Sequence, residues 1–160
     1  MTREDAYYER IKLLCGHWDS YDSWLGAYLE TEEPLSDIVL KLIDCKDDIK
    51  EIEHCLNLYC AEKPFDEESV YTRLRTELCA LYEGNAITKD HLLSELFSIS
   101  KVIPFCRFSI DCSTLSDYYV LVEEGLADMK IFTAVLEKWL KDGNPFKTDE
   151  MWNKRESKNV

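Results

Sequence analysis

Cysteine, histidine and carboxylate side chains are the residues here whose types could carry chemistry, so their spacing comes first. Cys15 with His17, His54 with Cys55, and Cys106 with Cys112 are the close groupings, and none has the paired interval of a structural zinc site. The seven cysteines, at 15, 45, 55, 60, 79, 106 and 112, are odd in number and contain no C-x-x-C. Most therefore read as core thiols, which behave as small hydrophobes. A carboxylate cage for iron or magnesium needs Glu-x-x-His motifs facing the interior, and Glu51-Ile52-Glu53-His54 lacks that interval. Cys15 and His17 stand two apart, so a nucleophile and base could meet there only in a loop around Gly16. With no G-x-S-x-G and no phosphate-cradling glycine loop, the residues point to no catalytic group, no cofactor and no metal.

Recognition chemistry is better represented. Trp18, Tyr21, Trp24 and Tyr28 interleave with Asp19, Asp22, Glu30, Glu32 and Glu33, and Tyr and Trp dominate binding hot spots. Asp44, Asp47, Asp48 and Glu51 follow at three- and four-residue steps, which on one helix would form a ridge of like charge costing a few tenths of a kcal/mol per pair. Trp18, Tyr21, Asp22, Asp44, Asp47, Asp48 and Glu51 are therefore the candidate partner-binding residues. The plain alternative is that the aromatics are core and the carboxylates a solvated face. Helix N-terminal preference already accounts for Glu67 and Glu68. Asp48, Glu51 and Glu53, read as mid-helix, fall outside that rule.

The elements that must hold these residues read as helices. In KDDIKEIEHCLNLYCA, residues 46–61, Ile49, Ile52, Leu56, Tyr59 and Cys60 make one buried stripe. Thr2 caps a first helix closed by Gly16, Asp19 or Ser20 can cap a second, and Pro34 opens a third that breaks near 44–46. Asp66 to Gly84 and Thr88 to Ser100 form an antiparallel helical hairpin. Pro104 interrupts KVIPFCRFSIDC, so 101–112 reads as a broken segment that would also suit a short strand. Ser113 or Ser116 caps the following helix, and Met129 to Leu140 is the last, stopped by Asp142-Gly143-Asn144-Pro145. No fixed-length internal repeat is legible. Five Gly and four Pro in 160 residues are too few for a many-stranded β fold. The expectation is one all-α domain over 1–146, an irregular bundle of about six to eight helices, with a polar tail over 147–160 in which Trp152 docks back on the body.

The net charge of −13 disfavours nucleic acid and anionic membranes, both of which need clustered Lys and Arg. Residues 1–70 hold 18 acidic and 7 basic side chains, against 14 and 12 in 71–160. The negative field therefore concentrates in the first half, where it would steer a basic partner. No membrane span or leader is apparent, and free thiols fit a reducing cytoplasm.

The stretch PLSDIVLKLIDCKDDIKEIEHCLNLYCAEKPFDEESVYTRLRTELCALYEG, residues 34–84, resembles small helical families of immunity proteins from bacterial toxin systems, including those of contact-dependent growth inhibition. The resemblance covers about a third of the chain and lies in its acidic, aromatic, helical character. It implies a non-enzymatic protein that neutralises a cognate toxin domain, such as a basic nuclease, by tight one-to-one binding in the cytoplasm. The alternative is a helical adaptor or regulatory subunit acting on another basic protein.

Overall fold

The computed structural model describes residues 1–143, and over these the chain is all-helical. Eight helices follow in order: α1 Arg3–Leu14, α2 Tyr21–Thr31, α3 Asp37–Cys45, α4 Ile49–Ala61, α5 Glu67–Glu83, α6 Lys89–Val102, α7 Arg107–Glu123 and α8 Met129–Asp142. None is long and apolar enough to cross a membrane. Over the described residues the chain forms two compact units that meet in sequence at Tyr71 and Thr72, inside α5. The expected polar tail and Trp152 lie outside the described residues.

In the first unit α1 and α3 both pack against α4, and α2 packs against α3. Thr2 starts α1 as its sequence suggests, its hydroxyl accepting from the Asp5 amide at 3.1 Å. The helix buries Ala6, Tyr7, Tyr8, Ile11 and Leu13, while Leu14 is exposed. Arg10 pairs with Glu53 at 2.8 Å and Arg3 with Glu62 at 3.2 Å, tying α1 to α4 or its C-cap. Ser20 occupies the N-cap position of α2, but its hydroxyl accepts from Lys12 Nζ at 2.9 Å instead of capping the helix. Pro34 does not open α3. It follows a cis peptide bond, and the helix begins at Asp37 behind Ser36. Lys46, at φ 49°, ends α3, and Asp48 caps α4.

Helices α5 to α8 form a repeat that the sequence reading missed. Each bound of α7 and α8 lies 40 residues after the matching bound of α5 and α6: Glu67 to Arg107, Glu83 to Glu123, Lys89 to Met129, Val102 to Asp142. The intervening turns match as well. Asn85 and Gly125, both at positive φ, occupy the same place, and the two amides after each donate to the carbonyls of Leu81 and Leu121 respectively. Thr88 and Asp128 then cap α6 and α8. Leu92 matches Phe132, Leu96 matches Leu136 and Ile99 matches Trp139, all buried. Few positions are identical, because a helical hairpin specifies apolar spacing, a positive-φ turn and a capping oxygen, each of which several residue types supply.

Residues 101–112 are broken around Pro104 as expected, and the alternative of a short strand does not form: α6 ends at Val102, Pro104 lies in the short connection, and α7 starts at Arg107. Its cap is built at Cys106, whose amide donates to Ser109 Oγ at 2.9 Å, not at Ser113 or Ser116. YYVLV continues α7, so the strand tendency of its residues yields to tertiary burial of Tyr118 and Val122. At the end of α8, Arg75 Nη1 donates to the Trp139 carbonyl at 3.1 Å, and Gly143, at φ 65°, closes the helix. A Cβ on Gly143 would fall 2.5 Å from the Arg75 guanidinium, so both conformation and space require glycine.

Candidate functional site

The corner between α3 and α4 gathers four of the seven candidate residues, although not on one helix. Asp44 lies in the last turn of α3, Asp47 in the turn, Asp48 at the N-cap of α4 and Glu51 in its first turn. The continuous ridge expected from their spacing is therefore broken by Lys46 and re-formed around a bend. Asp48 Oδ1 accepts from the amides of Lys50 at 3.1 Å and Glu51 at 3.2 Å, satisfying donors that a helix start leaves open.

This geometry corrects the weight given to the supposed mid-helix carboxylates. Asp48 and Glu51 occupy helix-start positions where negative charge is favoured, and Glu53 is neutralised by Arg10. Asp44 is the carboxylate that helix preference opposes, since it faces the negative end of the α3 dipole with no basic residue in that turn. All four corner carboxylates are exposed, and none pairs with a Lys or Arg among the described residues. Elsewhere in the unit Glu9, Glu32, Glu53 and Glu62 each have a cationic partner. The exposed Lys46 and Lys50 interrupt the corner's negative charge without forming such pairs.

Trp18, Tyr21 and Asp22 begin α2 or immediately precede it, and they divide between surface and core. Asp22 is exposed, Trp18 half-buried, and Tyr21 only 5% accessible. The Tyr21 ring packs 5.8 Å from Trp24, which meets Tyr28 at 5.4 Å, so this aromatic series is mostly packing and Tyr21 supports the surface from beneath. Its buried hydroxyl finds no hydrogen-bond partner among the described residues. Burial first, then Cys45, Glu9, Asp22 and Cys55, push its ionisation upward. α2 packs against α3, the helix that carries Asp44.

Sequence reasoning missed Cys45. Its thiol, at the end of α3, lies 3.6 Å from that of Cys55 on α4 and 3.1 Å from the Lys41 carbonyl. Burial, the hydrogen bond to Cys55 and the nearby Cys55, Glu51 and Asp44 push it up to about 12. The two cysteines had no recognisable interval because they lie on different helices joined by a bend. A groove of about 220 Å³ beside Cys55 is lined by α3 and α4 through Ile38, Lys41 and Leu58. In the second unit a groove of about 310 Å³ is lined by Cys79, Tyr82, Glu83, Glu137 and Lys141. Burial raises the Cys79 thiol, which leaves it a weak nucleophile.

Comparisons of the chain with protein-family models, with curated proteins and with solved structures each returned no match.

Proposed function

We propose that this protein is a non-enzymatic immunity protein that binds and neutralises a cognate toxin domain through the surface formed by the α3–α4 corner and the start of α2. The observation that carries the reading is the contrast in pairing. Glu9, Glu53 and Glu62 are matched by the molecule's own cations, whereas Asp44, Asp47, Asp48 and Glu51 are exposed without such partners.

A nuclease must present Lys and Arg to hold phosphates, so its active face is basic. An acidic corner speeds encounter with that face, and the half-buried Trp18 beside Asp22 adds an aromatic anchor. Asp44 is the most informative contact. Its unfavourable position on α3 is a cost to the free protein, which an approaching cation would offset.

The test is co-expression with a toxin domain encoded beside this gene, followed by affinity measurement on the purified pair. The native chain is expected to restore growth and form a one-to-one complex. Asp44→Lys combined with Asp47→Lys and Glu51→Lys is expected to slow association and abolish protection while the helical content stays unchanged. Unchanged affinity in that variant removes the corner from the interface. A stable complex with a basic protein whose toxicity is not relieved favours the adaptor reading instead.

A further inference from the structure

We infer that Cys45, Cys55 and Glu51 form a binding site for a single zinc-class divalent ion that braces the α3–α4 corner. The three ligand atoms lie within 4.8 Å of one another, and theirs is the one such grouping of metal-ligating side chains among the described residues. Cys45 comes from the last residue of α3, while Glu51 and Cys55 stand one turn apart on α4 and so share a face. A bound ion would cross the bend between two helices.

Distances decide which ion the site suits. Zinc holds thiolate sulfur at about 2.3 Å and carboxylate oxygen at about 2.0 Å in a tetrahedral arrangement, which separates two sulfurs by about 3.8 Å and a sulfur from an oxygen by about 3.5 Å. The Cys45 and Cys55 sulfurs are 3.6 Å apart, so small rotamer changes would place both on one ion. Two thiolates select borderline-soft metals such as zinc over magnesium or calcium, which prefer oxygen ligands throughout. Binding replaces the S–H protons of Cys45 and Cys55, including the contact from Cys45 to the Lys41 carbonyl, with two metal–sulfur bonds. Two protons leave for each ion bound, and three protein ligands leave a fourth tetrahedral position for water or a partner's side chain.

Tyr21, elsewhere in the same unit, is 5% accessible and its hydroxyl has no hydrogen-bond partner among the described residues. Asp44 precedes Cys45 in the last turn of α3 and adds an exposed negative charge that an ion would balance. This inference does not depend on the identity of the protein partner.

The experiment uses the full chain, reduced with a phosphine and stripped of metal. Native mass spectrometry with zinc is expected to show one ion added and two protons lost. Cobalt substitution is expected to give the near-ultraviolet sulfur-to-metal charge-transfer band. Cys55→Ser, at a half-buried position, should weaken zinc binding by more than about 100-fold, beyond what a change outside the ligand shell produces. Cys45→Ser should do the same, with circular dichroism confirming its fold, while His54→Gln should leave affinity unchanged. Zinc retained at the same affinity in folded Cys55→Ser, a bound cobalt ion without the sulfur band, or no uptake by the reduced chain would each overturn the site.

Discussion

Between Met1 and Tyr71, α1 to α4 run 9 to 13 residues and bury Glu9, Tyr21 and Cys45 among their apolar side chains. Beyond Thr72, α6, α7 and α8 run 14 to 17 residues and bury a layered series of Leu, Ile, Phe and Trp. Both units contain buried polar groups, but they treat them differently. In the second, Asp111 accepts from Trp139 Nε1 at 3.1 Å and pairs with Arg107 at 2.9 Å, and Ser109 completes the start of α7. In the first, the Tyr21 hydroxyl has no hydrogen-bond partner among the described residues. Satisfied polar groups fix packing, whereas an unsatisfied one is a cost that calls for an explanation. That cost falls in the unit that also carries the acidic corner, the thiol pair and most of the negative charge.

The comparison can be broken most directly in the repeated hairpins. Leu96→Ala and Leu136→Ala remove matching, fully buried side chains, and each should cost about 2–5 kcal/mol in urea unfolding. Similar losses would make the 40-residue correspondence energetic as well as geometric, while a several-fold difference would confine it to backbone shape. Asp111→Ala leaves the buried Trp139 donor and the Arg107 charge without their acceptor, and should cost about 1–3 kcal/mol in the same measurement.

Tyr21→Phe should move the other way. Removing a buried hydroxyl that has no partner should raise stability by about 1 kcal/mol, measured by thermal or urea melts without metal. A loss would show that the hydroxyl is satisfied in solution and would weaken the contrast between the units. A smaller effect is expected at the helix starts. Thr88→Ala, Asp128→Ala and Asp48→Ala should each cost about 1 kcal/mol, since each deletes a cap of the same kind.

The dependence on pH sharpens the comparison further. Burial raises the Asp111 carboxyl despite the opposing Trp139 and Arg107 contacts, so the folded state holds that proton more tightly than the unfolded chain. Its contribution is fully present below the ordinary carboxylate range and is lost as pH rises through the raised value. Glu77, also raised by burial, acts with the same sign. Asp111→Asn should therefore reduce, without abolishing, the fall in stability over that window in urea melts taken across pH.

Much of the helical class was legible because its signals are local. Thr2, Thr88, Asp142 and Gly143 mark boundaries by hydrogen-bonding capacity or permitted φ, and apolar spacing places Ile52, Leu56, Phe132 and Leu136 in the interior. The same locality misled at 44–53. A bend at Lys46 turns what reads as one acidic ridge into a helix end, a turn and a cap, and α1 supplies an arginine for Glu53 that no nearby residue announces.

By itself the sequence determined that this chain is helical, acidic in its first half and rich in carboxylates around residues 44–51. Only tertiary structure decided which of those carboxylates stay unpaired, that Tyr21 turns inward, and that Cys45 meets Cys55. Helix formation depends on neighbours within a turn or so, which adjacent residues encode directly. Pairing, burial and ligand geometry depend on how separate helices approach one another, and that emerges only when the core is packed.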